Sequence, residues 1–439
     1  MGNKFDVAII GAGVLGVTIA YWLSSLSNCS IALIDKESAV AKHTSSRNTG
    51  VIHRPFYLNP DKKRIFARAA QKSYFLWSDL AEKYHLLWLE VGTLEVAIQE
   101  SQLETLVQYQ NWAAKNGMDE SEIEVLDFEE VRKIEPLVYC AGAIHSKKDT
   151  AVKYGDLTNC VFELAQKNDV EFIGASELIH VEDGSSGVSL TLQNKSGLIS
   201  RVPCSFMINA AGGSSIDVAH MLGLARQYTD LHFRGEYWFV EDSFGKSISR
   251  NVYSVPRHKD FPFLDPHFIV RADGQREVGP NAVLVSGPNA YRGFSTSKSE
   301  LLKKIFEGPN YPKLKLFTNS QFLSLVWQEW RSSLSKKQMC ERVKKFIPSL
   351  EVSKLHTRGL SGVRNSVIDE HGFVPEAITV LGKHSLHILN YNSPGATGAP
   401  AYSAYVVKKI FEGGFIQRKN QATEISTELS WNFDTGSDL

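Results

Sequence analysis

Cysteine is scarce in this 439-residue chain: five residues (Cys29, Cys140, Cys160, Cys204, Cys340), odd in number, scattered, and without a C-x-x-C pair. That pattern argues against a disulfide scaffold, a zinc site and an iron–sulfur cluster, so no metal is expected, and it fits a reducing compartment. Net charge is lacking as well. The 48 basic residues balance 48 acidic ones, and with no basic block present a nucleic-acid partner has no electrostatic support. An unbroken apolar run is also missing. The most apolar stretch, "VAIIGAGVLGVTIAYWL", is interrupted by three glycines and preceded by Asp6, whereas a membrane span wants about 20 apolar residues. No clear cleavage site follows it, the "MGNKFD" start lacks the hydroxyl residue of a myristoylation signal, and a strand beginning near Phe5 leaves no room for a transit peptide. A cytoplasmic protein without a transmembrane segment is expected, with peripheral membrane contact an open alternative.

What is present is ordinary globular composition, 43% hydrophobic and 22% charged, in a chain long enough for two interleaved domains. Near its start, Gly11, Gly13 and Gly16 stand in G-x-G-x-x-G spacing. The hexapeptide alone is a weak signal, but its context completes a nucleotide-binding unit. "DVAII" is a β-branched run of the buried parallel type, "VLGVTIAYWLSSL" is apolar at helical spacing, and "SIALID" is a second strand ending in Asp35, with Lys36, a further cofactor candidate, next to it. Gly11 permits the tight turn, Gly13 lets backbone approach a pyrophosphate, and Gly16 lets helix and strand pack closely. The helix start at Val14 and Leu15 supplies N–H donors, and Asp35 is the acceptor for ribose hydroxyls.

The chain then returns to this fold twice. "SFMINAAGGSSIDVAHMLGL" is a strand ending at Ala210 and Gly212 before a helix. "SLHILNYNSPGATGAPAYSAYVV" is a strand, a turn and a helix opening with Pro394, Gly395, Ala396 and Thr397. Reduced flavin gains negative charge at its pyrimidine end, which a helix N-terminus stabilises. An ordinary NAD dehydrogenase has no such need for a C-terminal return, so the pair of returns favours FAD.

Between these pieces, "LHFRGEYWFVEDS", "NVYSVP", "HFIVRADGQREVGP" and "AVLVSGP" read as antiparallel strands, with "ADGQ" a hairpin turn. The fold class is therefore α/β (α+β overall): a Rossmann-like FAD-binding domain interleaved with a substrate domain on a mostly antiparallel sheet. Residues 1–85, 145–229 and 351–415 are assigned to the first, 86–144 and 230–350 to the second. Residues 416–439 form a polar tail, read as mobile or partner-covering and without chemistry. Residues 319–347 read as an amphipathic helix with a basic face of Lys336, Lys337, Arg342, Lys344 and Lys345, packed on the domain or lying on a membrane surface.

The stretches "SSRNTGVIH", "HFRGEYWFV", "PFLDPHF", "DGQREVGPNAVL", "YRGFS", "GVRNSV" and "NYNSPGATGAPA" carry a resemblance over nearly the whole chain. The sequence resembles the D-amino-acid oxidase superfamily of FAD oxidoreductases and, more narrowly, the L-2-hydroxyglutarate dehydrogenase/oxidase family. The resemblance implies oxidation of a 2-hydroxy acid, with an acceptor that is oxygen, a quinone or an electron-transfer protein. It puts His53, the histidine of "VIH", at the active site, and the branch is typically non-covalent in its flavin. The family pattern continues with small residues and two tyrosines where this chain has "RPFY". Tyr57 keeps a hydroxyl, while Arg54, Pro55 and Phe56 are departures that put the exact substrate in doubt.

Thr44, Ser45, Ser46, Arg47 and Asn48, just before His53, offer hydroxyl, guanidinium and amide groups to the pyrophosphate and ring edge. Arg364 in "GVRNS" is the candidate for the carboxylate nearest the reacting carbon, since a guanidinium holds a carboxylate bidentately. Arg234 and Tyr237 in "FRGEYW" lie on opposite strand faces, and a buried Arg234–Glu236 pair is the structural alternative for the first. Tyr57 and Asn281 complete the substrate candidates. His53 and His267 compete as the base, histidine accepting protons at neutral pH. Competing functions are oxidation of a polyol phosphate (glycerol 3-phosphate), an amino-acid or amine oxidase, and a flavin-binding scaffold without catalysis.

Overall fold

The computed structural model describes residues 5–256, 265–296, 298–419, 429, 431–437 and 439. The first three residues of the "PFLDPHF" motif, up to Leu264, lie outside them. Phe5–Ile10 sits at the centre of a parallel core, between Ile31–Ile34 on one side and Ile199–Asn209 on the other. Ser385–Asn390 adds in parallel to the far edge of Ile199–Asn209, and Glu171–Ile173 extends the opposite side. Both expected returns thus join the first sheet. Strands covered on two faces need apolar side chains throughout, which is why "DVAII" and "IALI" do not alternate.

The first helix, Val14–Leu26, has every residue but Leu15 buried. It lies between the sheet, the helix Tyr154–Lys167 and the C-terminal helix Gly395–Glu412. Trp22 Nε1 donates to the Pro400 carbonyl (2.9 Å) and the Thr18 and Ser403 hydroxyls meet at 2.6 Å. A helix apolar all round is one enclosed on every side, which accounts for its likeness to a membrane segment. Among the described residues no helix is long and apolar enough to cross a membrane.

A second, mostly antiparallel eight-stranded sheet unites the two blocks read as substrate layer. Among the described residues its one parallel pair joins Asn251–Ser254 to Thr93–Ala97. The "ADGQ" hairpin forms, His267–Val270 pairing with Arg276–Gly279 and Gly274 taking φ +86° at the turn. A four-stranded sheet, Val283–Val285, Thr229–Gly235, Gly362–Asp369 and Gly372–Phe373, closes over the cleft. Two details differ from the sequence-drawn boundaries. Leu355–Arg358 and Gly362–Asp369, placed with the nucleotide-binding part from residue 351, instead pair with Trp238–Val240 and Thr229–Gly235. The ladder partners, not chain continuity, decide where a strand belongs.

The tail differs too. Leu429, Trp431 and Phe433 are buried in the main core, with Trp431 against Trp22 (ring centroids 5.7 Å) and its Nε1 donating to the Leu76 carbonyl. The long amphipathic helix is two, Ser320–Leu334 and Lys336–Val343, broken where Ser335 turns extended and caps the second. Arg342 is drawn into pairs with Glu329 and Asp265, so the expected continuous basic face does not form.

Candidate active site

One cleft, with about 1310 Å³ of empty space including its mouth, lies where the parallel sheet meets the four-stranded sheet. Two helix N-termini open onto it. Gly13, Val14 and Leu15 begin the first helix, and Pro394 to Thr397 begin the C-terminal helix. Neither helix has an acidic residue in its first turn or a capping side chain of its own at the N-cap. The Val14 N–H is taken by Ser45 Oγ, but the positive end of each dipole still faces the cleft, where it favours an anion. Of the glycine motif only Gly13 lines the cleft. Gly11 adopts φ +101°, and a Cβ on it would lie 2.5 Å from the Ala210 carbonyl oxygen. A Cβ on Gly16 would lie 1.8 Å from that of Gly11. Those two glycines permit close packing, and Gly13 permits approach. Ala210 and Gly212 line the facing wall.

Asp35 also holds the turn together. Its carboxylate accepts the N–H of Ala12 (2.6 Å) and of Glu37 (2.8 Å), pinning the glycine turn to the end of the second strand. Lys36 is engaged with Asn289 (2.9 Å); neither residue lines the cleft. The segment from Thr44 to Asn48 mostly shapes itself. Ser45 Oγ accepts the Val14 N–H (2.9 Å), Thr44 donates to the Val363 carbonyl (2.9 Å), and Ser46 bonds the Ala41 carbonyl. Asn48 donates to the carbonyls of Thr44 and Ser45, and Arg47 stacks over Tyr291 and reaches Ser361. Thr44, Ser45, Arg47 and Asn48 remain on the cleft wall while Ser46 faces away. Hydroxyls and amides were expected to serve a ligand; most are spent holding the loop that presents it.

The loop delivers His53 to the cleft. Its Nδ1 lies 2.8 Å from Asp149 Oδ2, a carboxylate with no exposed surface. Tyr57 and Tyr253 stand edge-on to its ring, at 84° and 89°. His267 is placed behind Tyr253, stacked on it at 3.7 Å, and does not line the cleft. Burial, helped by the charges of His53 and Arg342, lowers its pKa to about 3 against the pull of Asp265. A ring that resists protonation so strongly is a poor base at neutral pH. Of the two competitors, only His53 meets the cleft.

Arg364 faces Phe233 across the four-stranded sheet and lines the cleft. Burial lowers its pKa to about 10, opposed by Tyr237, which leaves the guanidinium charged. Tyr237 lines the same wall, its hydroxyl pushed up by burial. The other substrate candidates are placed differently. Arg234 is buried in a pair with Glu236 (3.0 Å) and donates to the carbonyls of Ala290 and Gly293. Asn281 reaches the cleft, but its amide is occupied by Glu236 and Ser332. Tyr57 touches His53 from outside the cleft wall.

The "RPFY" departure leaves the cleft largely untouched. Arg54 turns inward to Glu122 (2.8 Å) and over Tyr74, and Phe56 joins an apolar cluster with Tyr109. Sequence reasoning missed Asp149, Tyr154 and Tyr391. Asp149 opens "DTAVKY", whose Lys153 is half-exposed and paired with Asp273. Tyr154, from the same stretch, bonds Thr397 (2.8 Å) at the start of the C-terminal helix.

A glycine turn that admits backbone, two helix N-termini, and a histidine and an arginine on the same cleft suit the class of flavin-dependent redox enzymes. The chain belongs to the FAD dependent oxidoreductase (DAO) family, whose model matches residues 6–409. Among curated relatives, the chain is 29% identical over 420 residues to the mitochondrial L-2-hydroxyglutarate dehydrogenase of Caenorhabditis briggsae, covering 92% of this chain and 93% of that protein. It is 28% identical over 409 residues to the L-2-hydroxyglutarate dehydrogenase of Escherichia coli K12, with the same coverages. In fold it is similar to L-alpha-glycerophosphate oxidase from Mycoplasma pneumoniae with FAD bound (TM-score 0.72, 22% identity, 93% and 94% of the two chains). It is similar also to glycine oxidase from Geobacillus kaustophilus (TM-score 0.68, 16% identity, 94% and 95%). The cofactor is FAD, and the protein is an FAD-dependent oxidoreductase.

Proposed function

We propose that the enzyme oxidises a small 2-hydroxy acid, L-2-hydroxyglutarate to 2-oxoglutarate in the first instance. The observation that carries this reading is the placement of His53 and Arg364 on one cleft with the two open helix N-termini. FAD, held by the first helix, the loop 44–48 and the start of the C-terminal helix, supplies a two-electron acceptor for the hydrogen on the carbinol carbon. Arg364 binds the adjacent carboxylate in bidentate fashion. His53 takes the hydroxyl proton as the C–H electron pair leaves and the carbonyl forms.

The curated relatives named L-2-hydroxyglutarate dehydrogenase support L-2-hydroxyglutarate as the substrate. The oxidant is oxygen, a quinone or an electron-transfer protein, distinguished by which reoxidises the reduced enzyme. A cytoplasmic location with peripheral membrane contact belongs to the same proposal. The outer face of Ser320–Leu334, with exposed Leu323, Trp327, Leu334 and Arg331, is suited to an anionic lipid surface, and flotation with phosphatidylglycerol vesicles tests it.

The deciding experiment is anaerobic titration of the holoenzyme. Bleaching of the flavin by L-2-hydroxyglutarate and not by glycerol 3-phosphate or amino acids is expected. Bleaching by glycerol 3-phosphate or by an amino acid instead overturns the substrate, and no reduction by any donor favours a flavin-binding scaffold.

A further inference from the structure

A base is useful only if the correct ring nitrogen is free. We propose that Asp149 is a positioning residue that fixes His53 as the tautomer with its proton on Nδ1, leaving Nε2 to accept the substrate's hydroxyl proton. The inference rests on the reading of His53 as base, and on geometry that no sequence motif announced.

Asp149 sits in the turn between Gly142–Ser146 and Thr150–Val152, without exposed surface. Each carboxylate oxygen meets two donors. Oδ1 accepts from the Arg54 N–H (3.1 Å) and the Ser146 hydroxyl (2.6 Å); Oδ2 accepts from the Thr93 hydroxyl (2.9 Å) and His53 Nδ1 (2.8 Å). An ionised carboxylate only accepts, so the shared proton lies on Nδ1 and a neutral ring has its lone pair on Nε2. The main chain of Asp149 is pinned as well, its carbonyl accepting the N–H groups of Val91 (3.2 Å) and Gly92 (2.9 Å).

Two tyrosines, Tyr57 and Tyr253, flank the ring beside this partner, edge-on at 5.9 and 5.6 Å. The His53 N–H points to Thr397 Oγ1 (3.4 Å), tying the loop to the start of the C-terminal helix. Three segments distant in sequence, around residues 93, 149 and 397, thus set the orientation of one imidazole. Asp149 itself does not line the cleft, so its effect on substrate passes through His53.

The test combines nitrogen-resolved NMR with kinetics on the intact holoenzyme. With ¹⁵N-labelled histidine, the resonance pair lost in His53→Gln identifies His53, and wild type is expected to show a protonated Nδ1 and a bare Nε2 at neutral pH. In Asp149→Asn the amide can donate to Nδ1, so the proton moves to Nε2. The rate of flavin reduction then falls about 100-fold or more, the contribution of a lost general base, while KM changes little. Asp149→Glu, which keeps the acceptor, retains the wild-type tautomer and recovers part of the rate. A wild-type His53 protonated on Nε2 overturns the proposal, as does an Asp149→Asn enzyme with tautomer and rate unchanged. If no 2-hydroxy acid reduces wild-type flavin, the substrate reading fails, and the NMR still decides the role of Asp149.

Discussion

Replacing each of the two histidines in turn separates base from bystander. His267 has a pKa lowered to about 3 from 6.5, which makes it roughly 5 kcal/mol weaker as a proton acceptor than an unperturbed histidine. His267→Asn is therefore expected to keep flavin reduction within about tenfold of wild type at neutral pH. His53→Asn is expected to lose about 10²–10⁴-fold, the span of a general base. The same pKa predicts a stability effect. A histidine whose folded pKa is depressed contributes stability that is present above its unfolded value and lost as pH falls from about 6.5 towards 3. At pH 5 the loss is about 2 kcal/mol, 1.5 units at 1.36 kcal/mol each. Stopped-flow reduction without oxygen reads the first effect; urea unfolding at pH 7.5 and pH 5 reads the second. The reasoning is refuted if both variants lose activity alike, or if His267→Asn is as acid-sensitive as wild type.

Other outcomes follow from the same geometry. Arg364→Met is expected to cost about 2–3 kcal/mol of binding to the reacting carboxylate, a charge-assisted bidentate pair, seen as a raised KM for every 2-hydroxy acid. Glu95 lies fully buried beside Asp149, and burial with that neighbouring charge raises its pKa to about 8. An acid so raised loses stability as pH rises from about 4.5 to 8, so Glu95→Gln should be more stable than wild type by about 3 kcal/mol at pH 7, with no difference at pH 4.5. Trp431→Ala should destabilise by about 3–5 kcal/mol, the cost of emptying a buried tryptophan site, and thermal melts of the holoenzyme measure it.

What the sequence by itself determined is local. The glycine spacing, the β-branched strands and the amphipathic returns all declare themselves within a few residues, because turn geometry and periodicity are properties of neighbours. That Gly13 to Leu15, Pro394 to Thr397, His53 and Arg364 would matter together was legible for that reason, each lying in a short motif beside a strand, and all of them line one cleft. The tertiary structure alone decided what depends on partners far along the chain. Asp149 lies 96 residues from His53 and nothing near either announces the other. Arg54 and Arg234 lie in ion pairs with Glu122 and Glu236 away from the cleft, whereas Arg364 lines it. His53 and His267 carry the same ring, and the difference in their burial behind Tyr253 is what separates their chemistry. The polar tail concealed Trp431, whose place against Trp22 no composition could reveal. Charge and hydrogen-bonding capacity are written residue by residue; which of them remain available to a ligand is settled by which others the fold has already paired.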